Sequence, residues 1–512
     1  MVVISVTPDL ALDMGYTYAG GLGVLEGDKF YAAAKLGLDY IVFTLLYKNG
    51  YVSYRFSPKG DPIPQPQPQP KDFIDALKPE DTLRLRLKGE DVCVVPWSYE
   101  LGSAKAIFFE PTSPEWASKL VSRLYIESSV EERFYKYTFL AKSVAAYIRR
   151  NIDIENIKYI DLQEAYTAIL PLILKIPGKY RLIIHTPGPW GHPAFPKYLF
   201  EREFGYRFIG DIVVLTEVGL AASREAVAVS AKHFDIMSKV IPHFLEKIRY
   251  VTNGVNIDRW MDPYLRERIE KGNLSLDEFI RIRRKIRTQL IRFLRQFKEV
   301  NVKDKLVLAW CRRLVTYKRP DFMRRFIEAH NDLDMFFILG GKAHPYDGEG
   351  LRYMKIFHQL HEKYDNVIYL PEYTVDVAKL VLKGVDLLLF TPFPAWEASG
   401  TSFMKAGLNG VPTLASRDGA VIEFVIDNVN GWLFGEDLRD LIDMHDPRAN
   451  KINEREYSEF EKRLLDIHDM YHNEPERYYQ VSLNALRTFL PRVSIERTLK
   501  EYYPDIVKGI LF

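Results

Sequence analysis

Between Leu306 and Phe390 the sequence alternates short, largely apolar runs with longer amphipathic stretches, and few architectures accept that pattern. Leu306–Trp310, Met335–Leu339, Val367–Leu370 and Asp386–Phe390 read as buried strands. Gly350 to Tyr364 and Val375 to Leu382 carry helical spacing between them. Strands that are apolar on both faces and separated by helices predict a parallel, doubly wound sheet. Ligands of such sheets bind at the carboxyl ends of the strands, where the loops gather.

The first half repeats the signal more loosely. Strands are predicted at Val2–Val6, Tyr40–Leu46, Ile157–Ile160, Leu182–Ile184 and Ile212–Leu215. An inserted piece over about 71–110 contains Thr82–Leu87 and Val92–Pro96, joined at Lys88-Gly89-Glu90-Asp91, which predicts a hairpin. The Pro-Gln run from Asp61 to Pro70 reads as an extended, exposed and inert surface loop. A chain of 512 residues exceeds one ordinary core. The expected division is a first α/β domain over 1–250, a second over 251–492, and a helix within 493–512 returning to the first.

Composition excludes several classes. A net charge of +2 argues against a nucleic-acid surface. The basic stretch Ile280 to Lys298 has the composition of an RNA-binding helix, but with Glu and Asp scattered around it a solvated face is the better reading. No apolar run reaches the length of a bilayer span. The start, Met1 to Val6, reads as a strand and not as a signal peptide. Cys93 and Cys311, each in an apolar run, are expected as buried free thiols of a reducing, cytoplasmic compartment. His358/His361 and His468/His472 have helical ligand spacing without an obvious third ligand, so no metal is expected.

The chemistry is concentrated in Glu397-Ala398-Ser399-Gly400-Thr401-Ser402-Phe403-Met404-Lys405-Ala406-Gly407-Leu408-Asn409-Gly410. Small residues form a tight loop, Thr401 or Ser402 is placed to cap a short helix, and Gly410 with Pro412 stops it. A loop entering a helix N-terminus is an anion site, and Lys405 lies about one turn inside it. Phosphate chemistry, or a phosphate-bearing cofactor attached through a lysine, follows. The string resembles the pyridoxal-phosphate attachment segment of the α-glucan (glycogen and maltodextrin) phosphorylases, with the pattern E-A-S-G-T-x-x-M-K-x-x-x-N-G.

Other segments carry the same resemblance in the same order. Gly20-Gly21-Leu22-Gly23, by itself a strand-to-helix turn, resembles the family's loop over the reacting phosphate. His185-Thr186-Pro187 follows a strand and resembles the segment whose histidine contacts the glucosyl unit. Thr252-Asn253-Gly254-Val255, ending in Trp260, resembles the interdomain crossing, where Asn253 would bond a sugar hydroxyl. Arg312-Arg313-Leu314-Val315-Thr316-Tyr317-Lys318-Arg319 places four cations after a strand, an arrangement suited to clamping phosphate. It resembles the motif in which Arg313 binds inorganic phosphate, Arg312 and Lys318 neutralise cofactor and substrate phosphates, and Tyr317 touches the sugar. Gly340-Gly341-Lys342-Ala343-His344-Pro345 resembles a further family turn, and Pro371-Glu372-Tyr373 the segment whose tyrosine touches the cofactor. One departure stands out: Tyr166, in Leu162-Gln163-Glu164-Ala165-Tyr166, occupies a position that is histidine in many members.

The resemblance implies the GT-B architecture, two Rossmann-like doubly wound domains facing a cleft. It implies transfer of a terminal glucosyl unit from an α-1,4-glucan or maltooligosaccharide to inorganic phosphate, giving α-glucose 1-phosphate with retention. Lys405, Arg313, Lys318, Arg312 and His185 are the expected catalytic group. Lys405, Thr401, Tyr373, Gly21, Trp260 and Lys318 would hold pyridoxal phosphate. Gly20, Gly21, Leu22, Gly23, His185, Asn253, Tyr317, Glu397, Ser399 and Gly400 would hold substrate. The family often forms homodimers, and its regulatory N-terminal extension has no counterpart here, so control by phosphorylation or AMP is not expected. A sugar-nucleotide glucosyltransferase would share the basic clamp without needing Lys405 in this context. An inactive glucan-binding relative would not need Lys405, Arg313 and His185 intact.

Overall fold

The computed structural model describes residues 1–272 and 274–507. The chain divides into two compact units. One comprises Met1–Val52, Pro66–Thr252 and the segment from Thr498 onward; the other comprises Ser53–Gln65 and Asn253–Arg497.

The second unit is built on six parallel strands, in the order Val367–Leu370, Met335–Gly340, Leu306–Cys311, Leu387–Phe390, Thr413–Ser416 and Trp432–Phe434. The first four are the runs predicted from the sequence. Every residue in all six strands is buried, as sheets covered on both faces by helices require. The crossover helices include Gly348–Lys363 and Val375–Gly384.

In the first unit a ten-stranded sheet joins seven parallel strands to an antiparallel edge. Val2–Val6 is central, flanked by Tyr40–Leu45 and Ile157–Gln163, with Tyr180–Ile184, Glu225–Ala228 and Ile248–Tyr250 beyond the latter. The predicted hairpin forms as Leu83–Leu87 and Glu90–Leu101, turning at Lys88 and Gly89, which have φ of 56° and 78°. Its long strand pairs with Ala104–Ser113, which lies parallel to Tyr40–Leu45 and so extends the main sheet.

Several expectations are corrected. Ile212–Val214 is not a strand of the main sheet; it pairs antiparallel with Ala194–Pro196 as a separate ribbon. The Pro-Gln run is not inert. Pro62–Gln65 pairs with Ser53–Phe56. Gln67 accepts the Tyr51 N–H at 3.3 Å, while Gln69 accepts the Tyr16 N–H and donates to the Tyr47 carbonyl, both at 2.8 Å. The basic helix, Leu276–Leu294, is not simply a solvated face. Arg283 is buried and donates to the carbonyls of Lys383, Val385 and Asn409; Arg287 pairs with Asp386 at 2.7 Å. Cys311 is buried, but Cys93 is only half-buried; both are free thiols.

The C-terminal helix forms as Ile495–Tyr502; residues 508–512 of the predicted segment lie outside the described residues. It is locked into the first unit by a buried cluster. Arg181 makes two 2.7 Å bonds to Asp161 and a third to the Tyr502 carbonyl, and the Tyr503 hydroxyl donates to Asp161 at 2.7 Å.

Candidate functional site

In the second unit the site residues collect where the parallel strands end. Leu306–Cys311 runs directly into Arg312 and Arg313, and the Arg312 N–H bonds the Gly340 carbonyl at 2.9 Å. Gly341 follows the next strand, Met335–Gly340; its φ of 112° suits only glycine, and a Cβ there would lie 2.1 Å from the Arg312 carbonyl oxygen. The resulting close approach sets the base from which the Arg312 side chain extends.

The Arg312 guanidinium lies 4.1 Å from the centre of the Phe390 ring, and one terminal nitrogen is 3.7 Å from Glu397 Oε2. Its other terminal nitrogen, Nη1, is buried without a hydrogen-bond partner. Lys318 Nζ bonds the same Glu397 oxygen at 2.8 Å. Burial would raise the Glu397 carboxyl, but Lys318 and Arg312, with Arg313 further off, outweigh it and hold the group below the usual carboxylate range. Arg313 itself is exposed. Tyr317 is buried and stacks on Trp396, with ring centres 6.0 Å apart. The fourth cation of the motif is structural: Arg319 donates to the carbonyls of Thr391 and Pro392 and pairs with Glu456 at 2.6 Å.

The loop from Ala395 to Gly400 is held from beneath. Asp418 accepts the N–H groups of Ala395 and Glu397, each at 2.8 Å. Gly400, at φ 72°, presses its backbone against Phe390; a Cβ would meet that ring at 2.5 Å. Ser399 is buried beside it. Thr401 stands at the N-cap of helix Ser402–Gly407, but contrary to expectation its side chain makes no capping bond.

Lys405 is buried, with Nζ 4.0 Å from the centre of the Trp260 ring. Asn409, one turn on and fully buried, ties the pair together. Its amide donates to the Trp260 and Lys405 carbonyls, both at 2.9 Å, and its oxygen accepts the Asp262 N–H at 2.8 Å. The Tyr373 hydroxyl and Asn253 Oδ1 are likewise buried without a hydrogen-bond partner among the described residues.

The first unit places its motif residues on its own sheet. Helix Gly21–Leu36 starts at Gly20 with no side-chain cap and no acidic residue in its first turn. Open space surrounds the Cα atoms of Gly20 and Gly21, Leu22 is half-buried, and a Cβ on Gly23 would lie 2.7 Å from Asp9 Oδ2. Uncapped amides at a helix N-terminus favour an anion. His185 follows strand Tyr180–Ile184; its N–H donates to Glu164 Oε2 at 2.6 Å and its Nε2 lies 2.8 Å from Gln163 Oε1. Burial, with Lys29 and His233 nearby, holds the imidazole well below its usual range, so it is neutral. Glu164, at φ 65°, is buried with Oε1 unpartnered, and burial pushes its carboxyl up to about 8. Tyr166 packs on Tyr137 at 4.5 Å between ring centres, and its hydroxyl donates to the Trp190 carbonyl at 3.3 Å.

Sequence reasoning assigned no role to Asn409, Asp418, Gln163 or Glu164. Asn409, Gln163 and Glu164 stood inside quoted motifs; Asp418 carries no signal beyond a turn-forming Asp-Gly pair.

Two α/β units with parallel sheets, carrying strand-end cations, a glycine-framed loop and a buried lysine, agree with the GT-B fold class. A family model described as carbohydrate phosphorylase matches residues 264–491, the portion that carries the clamp and Lys405. Nearly the whole chain aligns with proteins of that kind. A maltodextrin phosphorylase of Thermococcus litoralis is 25% identical over 95% of this chain and 68% of its own length. A glycogen phosphorylase of Aquifex aeolicus is 26% identical over 96% of this chain and 84% of its own. An uncharacterized protein of Methanocaldococcus jannaschii is 25% identical, covering 96% of both. The chain is thus similar to carbohydrate phosphorylases along most of its length, and the family model itself covers somewhat less than half of it.

Proposed function

We propose that this chain is a pyridoxal-phosphate-dependent α-1,4-glucan phosphorylase, which transfers a terminal glucosyl unit to inorganic phosphate and gives α-glucose 1-phosphate with retention. The observation that carries the reading is Lys405, a buried lysine held against Trp260 by Asn409.

The residues present fit the cofactor. Buried Arg312 Nη1 and the Tyr373 hydroxyl lack partners, and such atoms cost free energy unless a ligand satisfies them. Lys405 would attach the cofactor, Trp260 and Tyr373 would bound it, and Thr401 and Lys318 would face its phosphate. When bound, pyridoxal phosphate supplies a phosphate group that relays a proton to the inorganic phosphate.

The remaining chemistry belongs to the protein. Arg313, exposed and already within electrostatic reach of Glu397, binds inorganic phosphate. Arg312 and Lys318 set a positive potential that favours charge developing on phosphate oxygens in the transition state. In the first unit, the uncapped amides at Gly20–Gly23 would favour an anion at their own helix N-terminus. Glu397, kept ionised, accepts hydrogen bonds from sugar hydroxyls, with Ser399 and Gly400 beside it. Asn253 and Tyr317 fix the sugar's orientation, which limits the geometries available for attack.

Incubating the purified protein with maltooligosaccharide and inorganic phosphate tests this. The α anomer of glucose 1-phosphate is the expected product. Free glucose alone, or glucosyl transfer only from a sugar nucleotide, would overturn the reading.

A further inference from the structure

The hairpin within Ser53–Gln65 is flanked in the chain by residues of the first unit but belongs to the second. Its strands, Ser53–Phe56 and Pro62–Gln65, are fastened to helix Gly348–Lys363. The Phe56 ring stacks on His358 with centres 4.3 Å apart, and Asp61 pairs with Lys355 at 2.6 Å. The first two residues of the hairpin reach the loop that follows strand Val367–Leu370. Ser53 Oγ donates to Glu372 Oε1 at 2.9 Å, and the Tyr54 N–H donates to the same oxygen at 3.1 Å. The other Glu372 oxygen takes Lys342 Nζ at 2.7 Å. Tyr54 is buried, and its hydroxyl donates to the Ala343 carbonyl at 3.1 Å.

Val367–Leu370 is an edge strand of the six-stranded sheet, so the loop after it, Pro371-Glu372-Tyr373, has a strand neighbour on one side only. The hairpin supplies donors that the sheet does not. Glu372 is the junction: its carboxylate accepts from Ser53, from Tyr54 and from Lys342, which stands on the loop after the adjacent strand Met335–Gly340. Lys342 carries the link inward, because its carbonyl accepts the Leu314 N–H at 3.1 Å, one residue after Arg313. Tyr373 follows Glu372 directly, and its ring lies against the neighbouring strand end, where a Cβ on Gly340 would come within 3.2 Å of it. The hairpin therefore braces the backbone on which Tyr373 and the cationic loop stand. Holding a binding loop in shape in advance removes an ordering cost from binding and slows release.

We propose that the hairpin Ser53–Gln65 is a latch for the cofactor and that Glu372 is the positioning residue through which it acts. The hairpin donors fix Glu372, Glu372 fixes Lys342 and the backbone that carries Tyr373, and cofactor release is slowed by groups that do not touch the cofactor. The cofactor in that statement rests on the phosphorylase reading; the bracing of the two loops does not. The role differs from general packing, because it depends on donors aimed at one carboxylate: Ser53→Ala keeps the fold of the hairpin and loses a donor, while Ser53→Thr keeps the hydroxyl.

Dialysis of the full-length holoenzyme, with retained pyridoxal phosphate read by absorbance, measures release without turnover. Ser53→Ala should speed release by ~5-fold, the scale of one hydrogen bond, and Glu372→Ala by ~10-fold or more. Ser53→Thr should restore the wild-type rate. Phe56→Ala, which loosens the hairpin from its helix, should also speed release, and it keeps the test open if Glu372→Ala fails to fold. Tyr166→Ala, a packing change in the first unit, should leave release unchanged. Hydrogen exchange on cofactor-free protein reads the bracing itself. The Gly341 and Thr374 amides, bonded to the Leu370 and Glu372 carbonyls, should exchange faster in Glu372→Ala and Phe56→Ala, while those of strand Leu306–Cys311 should not change. Wild-type retention in Ser53→Ala and Phe56→Ala, or equal acceleration in Tyr166→Ala, would overturn the proposal. A wild-type protein that takes up no pyridoxal phosphate would overturn the phosphorylase reading instead; unchanged exchange at Gly341 and Thr374 would then remove the bracing as well.

Discussion

Replacing Asn409 by alanine is the sharpest perturbation of the lysine cradle that leaves Lys405 itself in place. Asn409 is 0% exposed and makes three side-chain hydrogen bonds of 2.8–2.9 Å, to Trp260, Lys405 and Asp262. Asn409→Ala removes all three and leaves two carbonyls and one N–H without these partners. At about 1 kcal/mol for each bond, and more wherever water cannot replace it, the loss is about 3–4 kcal/mol. Set against a typical stability of roughly 5–15 kcal/mol, that is large. Asn409→Asp should do no better, because it turns an acceptor toward two carbonyls that need a donor. Urea unfolding followed by circular dichroism measures the stability change, and absorbance of the purified protein measures cofactor retained. Both should fall, since the Trp260–Lys405 spacing depends on the same bonds. A stability loss under ~1 kcal/mol with full cofactor occupancy would refute the reasoning.

Three further outcomes follow from the geometry. Glu164 is held protonated by burial up to about pH 8, so its contribution to stability is full below the unfolded carboxyl value and is lost as pH rises toward 8. Glu164→Gln should therefore gain in melting temperature relative to wild type between about pH 5 and pH 8; an equal difference at both ends would contradict this. Arg313→Ala should lower kcat/KM for phosphate by at least ~100-fold, about 3 kcal/mol of transition-state stabilisation; a loss below about ten-fold would remove Arg313 from the phosphate site. Tyr166→Ala should lower the melting temperature, because its ring packs on Tyr137 and its hydroxyl bonds Trp190, and should leave maltooligosaccharide KM nearly unchanged. Weakened oligosaccharide use without a stability change would instead make Tyr166 a sugar-binding side chain.

What could be read in the sequence follows from how local each signal is. Leu306–Cys311 and Met335–Gly340 announce themselves because burial on both faces leaves no polar alternation to confuse them. Thr413–Ser416 and Trp432–Phe434 pass unnoticed: four and three residues between glycine-bearing turns carry too little pattern. Ile212–Val214 was recognisable as extended, but whether it joins the main sheet is decided by pairing with distant Ala194–Pro196. Arg283 and Arg287 misled because the carbonyls and the aspartate that take them up lie about a hundred residues away. The glutamines of the Pro-Gln run behave likewise, capping the backbone of Tyr16, Tyr47 and Tyr51 from within a segment whose composition suggests solvent. The candidate site was legible as a set of motifs, each with its own residue chemistry. The bonds that hold those motifs were not, since Asp418 and Asn409 act by accepting and donating to backbone groups.

The central claim is that Lys405 carries the cofactor, and borohydride reduction of the purified protein followed by peptide mapping tests it most directly. The account predicts a pyridoxyl group on Lys405, with Lys405→Ala folding normally and losing both the label and phosphorolysis. Label on another lysine, or phosphorolysis by a protein carrying no label at all, would contradict it.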